Sequence, residues 1–177
     1  RPRTHPLLSK FDTDCGEKYI WTTFSDDQID LNFENPKVLI KMVEVLLFYL
    51  EKGASWIRLD AVGFMWKEAG TTSIHLDKTH ELIKLFRDVV STTSPGTILI
   101  TETNVPHKDN ISYFGDGTDE AQMVYQFPLP PLVIYTLMYG DSSVISNWAK
   151  GLDTPTDEVT YFNFLASHDG IGINPIR

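Results

Sequence analysis

The residues best suited to chemistry in this chain are acids at the ends of short apolar runs. Trp56-Ile57-Arg58-Leu59-Asp60-Ala61 alternates apolar and charged residues and reads as a buried strand closing on a charge pair. Side chains alternate faces along a strand, so Arg58 and Asp60 share one face with Cα atoms roughly 6–7 Å apart. A charge on an apolar strand is costly to bury without a partner, so the plainest reading of this pair alone is a structural ion pair. Two further runs end in the same way. Ile98-Leu99-Ile100-Thr101 leads into Glu102, and Tyr161-Phe162-Asn163-Phe164-Leu165 leads to His168-Asp169.

Carboxylates gathered at neighbouring strand ends can cleave a glycosidic bond with retention. That chemistry needs a carboxylate nucleophile and a carboxylic acid about 5–5.5 Å apart. A third carboxylate can favour the positive transition state by its charge. Arg58 beside Asp60 favours an ionised nucleophile, whereas Glu102, with less cationic help nearby in sequence, suits the acid of raised pKa. The rival chemistry is a divalent cation on the oxygens of Asp60, Glu102 and Asp169. Arg58 on the same face argues against it, because a cation would be repelled. His75 and His80 read as ordinary polar residues, and His107, in the loop after Glu102, is a candidate substrate contact. Trp66 and Tyr113 are equally suited to stacking on a sugar and to packing a loop. Asp30 and Asn32 fit loop-fixing hydrogen bonds better than substrate contact.

The elements that must position these acids can be read in order. Residues 1–34 lack strong periodicity and read as a loop region. Asn35 and Pro36 are a helix start, Leu39, Met42, Val43, Leu46, Phe48 and Leu50 give it an apolar face, and Gly53 stops it. A second helix is expected from about Asp77 or Lys78 to Ser91, followed by a strand over Thr97–Thr101. The polar stretch from Thr103 to Glu120 reads as a loop, and Met123–Tyr125 as a short strand. A helix opens at Pro130-Pro131 and is capped by Gly140. A shorter one, N-capped by Asp141, turns Val144, Ile145, Trp148 and Ala149 inward. Val159–Leu165 is the last strand. Alternation of this kind argues for an α/β fold of parallel βαβ units with long loops after the strands. In a (β/α)8 TIM barrel those loops carry the site, and a complete barrel takes roughly 250 residues. The 177 residues here therefore suit part of one, about strands 4 to 7 with their helices and the preceding loop and helix. The domain reading is a loop region, 1–34, ahead of the third barrel helix, then a partial catalytic barrel over 35–177.

Composition narrows the partners. A net charge of −9 disfavours nucleic acid and anionic membrane, and no run approaches the roughly 20 apolar residues of a membrane span. One cysteine, Cys15, excludes an intrachain disulfide and fits a reducing, cytoplasmic setting. Both ends look cut, so a fragment of a longer protein is expected.

The ordered motifs resemble the α-amylase superfamily of glycoside hydrolases. Arg58-Leu59-Asp60-Ala61, the strand end at Glu102, and Phe164-Leu165-Ala166-Ser167-His168-Asp169 resemble three of its motifs. Gln28-Ile29-Asp30-Leu31-Asn32 resembles a fourth, with Ile where Pro is common. Lys67-Glu68-Ala69-Gly70-Thr71, Phe127-Pro128-Leu129-Pro130-Pro131-Leu132 and Asp169-Gly170-Ile171-Gly172 resemble the sucrose phosphorylase group. Thr101–His107 and Ile111–Gly115 look more like its relatives acting on glucosylglycerate or sucrose 6'-phosphate. The D-x-x-x-N-H motif of the superfamily is absent from the chain. The resemblance implies Asp60 as nucleophile, Glu102 as general acid/base and Asp169 as transition-state stabiliser. Arg58 would orient Asp60, and His168 would bind a sugar hydroxyl. It implies reversible phosphorolysis of an α-glucoside to α-glucose 1-phosphate, with inorganic phosphate as co-substrate and no cofactor or metal. The other readings are a hydrolase or transglucosidase with the same triad, or a barrel relative used for binding alone.

Overall fold

The computed structural model describes residues 6–172. The outermost residues of both ends, on which the reading of cut termini partly rests, lie outside that range. A hairpin comes first, pairing β1 (Leu8–Thr13) with β2 (Gly16–Trp21) antiparallel. This corrects the expectation of a loop for residues 8–21, while residues 22–34 carry no helix or strand, as expected. Thr13 pairs with Gly16 across Asp14-Cys15, and Gly16 sits at φ 91, which a glycine supplies at little cost. Lys10 and Glu17 form an ion pair on the exposed side of the hairpin.

Helix α1 (Pro36–Glu51) begins as the sequence directs. The Asn35 side chain accepts from the Lys37 N–H at 3.0 Å, and Pro36 takes the first helical position, where no N–H is needed. Four strands then form one parallel sheet in sequence order: β3 (Trp56–Leu59), β4 (Ile98–Thr101), β5 (Met123–Tyr125) and β6 (Thr160–Phe162). Parallel neighbours need crossover connections. Helix α2 (Asp77–Thr93) crosses from β3 to β4, α3 (His107–Ile111) lies between β4 and β5, and α4 (Leu129–Tyr139) and α5 (Ser143–Lys150) lie between β5 and β6.

Two buried clusters fix the sheet against its helices. Leu46, Phe86, Val90, Leu99 and Ala121 join α1, α2 and β4. Val62, Ile83, Tyr113, Phe114, Val124, Val159 and Tyr161 join α2, β5 and β6 with the segments leading out of β3 and β4. Complete burial of a side chain such as Leu99 contributes about 1.5–3 kcal/mol.

Other departures are local. The stretch from Thr103 to Glu120 is not all loop: it holds α3 and a 3-10 turn at Ser112–Phe114, which seats Tyr113 and Phe114 in the core. The last strand is shorter than expected, because only Thr160–Phe162 pairs with β5. The cap position of α5 is Ser142 rather than the expected Asp141, which nevertheless accepts from the Ser143 N–H, and α5 does not turn its whole apolar set inward. Ile145 and Trp148 are half-buried, whereas Val144 and Ala149 are exposed. No helix among the described residues is long and apolar enough to cross a membrane.

Candidate active site

The register of β3 and β4 brings the first two acids together. Leu59 pairs with Thr101, so Asp60 and Glu102 leave adjacent strands at the same level, and the Glu102 N–H donates to the Leu59 carbonyl at 3.0 Å. The chain then turns sharply. Ala61 adopts φ 47, ψ 36, a left-handed conformation that is uncommon for a residue with a Cβ. That turn aims the Ala61 N–H at Glu102, whose Oε2 accepts at 3.1 Å. A strained backbone position held by its surroundings beside the candidate nucleophile is a frequent feature of working sites.

Arg58 ties the acids to each other. Its Nη1 lies 2.6 Å from Asp60 Oδ1, its Nη2 lies 3.8 Å from Glu102 Oε2, and its Nε donates to the Tyr125 hydroxyl at 3.0 Å. Burial opposes the guanidinium charge, yet the bonds and charges of Asp60, Tyr125 and Glu102 hold its pKa above the ordinary arginine value. The shared face of Arg58 and Asp60 is therefore as the two-residue period requires.

The two carboxyls occupy different environments. The Asp60 side chain is 70% exposed, while that of Glu102 is 16% exposed. Burial raises the Glu102 pKa above the usual carboxylate value, and the charges of Asp60 and Asp169 add to this. The Ala61 N–H and Arg58 oppose it without reversing it. One carboxyl open to solvent on a guanidinium, beside one driven toward its protonated form, is the division of labour that acid-assisted displacement needs.

Asp169 reaches the group from beyond β6. A tight turn forms where Ser167 and Gly170 exchange two backbone hydrogen bonds of 3.0 Å, and the Asp169 N–H donates to Ser167 Oγ at 3.2 Å. Asp169 is near enough to act on the charge of Glu102, and His168 Nε2 lies 3.3 Å from Asp169 Oδ2 with both side chains exposed. His107 opens α3, is exposed, and lies with its ring 6.1 Å from that of Tyr161. Asp30 accepts from the backbone and hydroxyl of Thr23 and pairs with Lys67 Nζ at 2.6 Å, in line with the loop-fixing role. Among the described residues no group of three or more His, Cys, Asp or Glu is placed to hold a metal ion.

Two features escaped the sequence reading. Tyr125, at the end of β5, positions Arg58, yet in sequence it is one aromatic in a three-residue strand. His75 and Tyr113, read separately, are bonded to each other (Nδ1 to hydroxyl, 2.6 Å). His75 also lines a cleft of about 300 Å³ with Ala61, Glu102 and Asn104. Their separation of 38 residues left no local signal. Tyr113 proves to be completely buried, so it packs rather than stacks on a ligand.

The alpha-amylase catalytic domain family matches residues 10–170. The chain belongs to that family. It is 60% identical to glucosylglycerate phosphorylase of Escherichia coli over 178 residues, which cover 100% of this chain and 32% of that protein. A glucosylglycerate phosphorylase of Allomeiothermus silvanus is 58% identical over 99% of this chain and 32% of its own length. Among solved structures, sucrose 6F-phosphate phosphorylase from Thermoanaerobacter thermosaccharolyticum superposes with a TM-score of 0.82 and 26% identity, covering 98% of this chain and 34% of that one. The parallel sheet and its helices are thus part of a (β/α)8 barrel with the acids at the C-terminal ends of its strands. The chain spans about a third of the length of the curated relatives it matches.

Proposed function

We propose that the protein carrying this chain is a retaining α-glucosyl phosphorylase whose donor is glucosylglycerate or a close analogue. The observation that carries this reading is the pairing of an exposed Asp60 on Arg58 with a partly buried Glu102 of raised pKa at the next strand end. The 60% identity to a glucosylglycerate phosphorylase across the whole chain supports the choice of donor.

In this reading the Asp60 carboxylate attacks the anomeric carbon of the glucosyl unit while the Glu102 carboxylic acid protonates the departing oxygen. The product of that step is a β-glucosyl ester on Asp60 and a Glu102 carboxylate. A phosphate oxygen then attacks the same carbon, its proton passes to Glu102, and the Asp60 carboxylate leaves. Two inversions give α-glucose 1-phosphate with net retention. Asp169 stabilises the positive charge that develops on the sugar, Arg58 orients Asp60, and His168 and His107 bind substrate oxygens. The partners are a small carbohydrate and inorganic phosphate, with no cofactor, metal, nucleic acid or membrane, in a cytoplasmic setting. Residues 35–177 supply part of the catalytic barrel, and 1–34 precede its third helix.

The test is direct. The full-length protein is incubated with glucosylglycerate, sucrose 6'-phosphate or sucrose, each with inorganic phosphate, and glucose 1-phosphate is assayed. Formation of glucose 1-phosphate from glucosylglycerate, lost in Asp60→Asn, is the expected result. Free glucose at one rate with or without phosphate would instead make the enzyme a hydrolase.

A further inference from the structure

The cleft of about 300 Å³ beside Glu102 is bordered by Phe24, Phe64, Ile74, His75, Thr103 and Asn104. It also takes in Ala61, which follows the candidate nucleophile. Asp60 lines an adjoining cleft of about 470 Å³ that shares Phe24, Ala61 and Phe64 with this one, so a group leaving a glucosyl unit on Asp60 with a proton from Glu102 has this space next to it. Apart from Glu102, the ionisable side chain on its wall is His75.

His75 is held there from several sides. Its backbone lies at φ 54, its N–H donates to the Gly63 carbonyl at 3.0 Å, and a Cβ on Gly63 would meet the imidazole at 3.0 Å. Nδ1 lies 2.6 Å from the hydroxyl of Tyr113. The Tyr113 ring stacks on His80 at 4.7 Å, and His80 Nδ1 lies 2.9 Å from the nearly fully buried carboxyl of Glu120. Backbone strain of this kind costs of order 1–3 kcal/mol and persists where the surroundings over-determine it.

The buried stack also fixes the imidazole's proton. Burial drives the Tyr113 phenol far above its ordinary pKa, and the charges of Glu120 and Asp109 add to this, so the hydroxyl keeps its hydrogen. Burial lowers the His75 pKa, opposed by Asp109 and reinforced by His80. Among the described residues His75 Nδ1 is the partner that the completely buried Tyr113 hydroxyl finds, so the hydroxyl donates to it and the hydrogen of the neutral imidazole resides on Nε2. Nε2–H is the donor this residue has left to offer the cleft it lines.

We propose that His75 determines specificity on the leaving-group side of the site, donating from Nε2 to a hydroxyl or carboxylate oxygen of a small hydroxylated leaving group. The proposal deepens the phosphorylase reading and rests on it for the choice of donor. The remaining walls are apolar (Phe24, Phe64, Ile74) or uncharged (Thr103, Asn104), which suits a compact polyol or hydroxy acid.

The experiment compares two donors on the full-length enzyme. Glucosylglycerate has a hydroxylated leaving group, whereas α-glucosyl fluoride releases a fluoride ion with no hydroxyl to contact. Asparagine tolerates the left-handed backbone, so His75→Asn removes the imidazole with little added strain. The ratio of kcat/KM for glucosylglycerate to that for the fluoride falls about tenfold in His75→Asn, the scale of one lost neutral hydrogen bond. In Tyr113→Phe, which keeps the imidazole but frees its tautomer, the ratio falls by less. A ratio unmoved in His75→Asn, whether both rates drop together or neither does, would overturn the proposal. So would a wild-type enzyme that consumes the fluoride but no hydroxylated donor. The product separates the two readings: free glucose in place of glucose 1-phosphate removes phosphorolysis, while the ratio still decides the role of His75.

Discussion

Replacing Arg58 by methionine removes one charge and keeps most of the stem, and two effects follow from the distances. Arg58 Nη2 stands 3.8 Å from Glu102 Oε2. Opposite charges at that separation attract by about 1 kcal/mol in water and about 4 kcal/mol at an effective dielectric near 20. Arg58 is 30% exposed, so solvent screening favours the lower part of that range, about 1–2 kcal/mol. This attraction favours the ionised form of Glu102, which cannot protonate a leaving group. Its loss drives Glu102 further in the direction burial already takes it. The alkaline limb of kcat/KM, set by deprotonation of the acid, therefore moves to higher pH by about one pH. Asp60 loses its 2.6 Å partner at the same time, and the height of the profile falls by about 10²–10³-fold, the scale of one lost electrostatic contact in a site. The assay is the initial rate of glucose 1-phosphate formation from glucosylglycerate and phosphate across pH, with wild type and Arg58→Met in parallel. A lower profile whose alkaline limb stays in place or moves to lower pH would refute the reasoning.

Two further outcomes concern stability and can be read by denaturant unfolding of the full-length protein. Glu102 has a folded pKa above its unfolded value, so the folded state binds the proton more tightly and stability falls as pH rises past the ordinary carboxylate range. Glu102→Gln is thus more stable than wild type at pH 7, and the gap closes near pH 4; a gap of the same size at both pH values would contradict this. Lys67 and Asp30 pair at 2.6 Å with side chains only 17% and 11% exposed, whereas Lys10 and Glu17 pair at 2.5 Å in the open. Lys67 also donates to the Phe64 carbonyl. Lys67→Met therefore costs about 3 kcal/mol by leaving a largely buried carboxylate without its counter-charge, while Lys10→Met costs under about 1 kcal/mol; equal losses would count against the burial argument.

What could be read from the sequence was what short-range physics controls. Arg58 and Asp60 share a face because side chains alternate along a strand, and α1 begins where Asn35 and Pro36 say it must. Glu102 was legible as a candidate acid because an apolar strand ends at it with no cation beside it in sequence, whereas its partial burial and the guanidinium 3.8 Å away are set by the sheet. The hairpin was missed because its inward positions, Ser9 and Phe11, alternate too weakly in hydrophobicity to stand out from a loop. The partners of Arg58 beyond Asp60 depend on sheet register, which sets Tyr125 at the end of β5, 67 residues away. The stack of His75, Tyr113, His80 and Glu120 depends on α3 and the turn after it folding onto α2. No spacing within either segment announces that contact.

The central claim is that Asp60 carries the glucosyl group and Glu102 handles the proton, and peptide mapping tests it most directly. The full-length Glu102→Gln protein is given α-glucosyl fluoride, whose leaving group needs no acid, quenched, digested and mapped by mass spectrometry. The account predicts one added glucosyl group on the peptide containing Asp60, absent when Asp60 is replaced by asparagine and removed when azide is added. A glucosyl group on another residue, or turnover that survives Asp60→Asn, would contradict it.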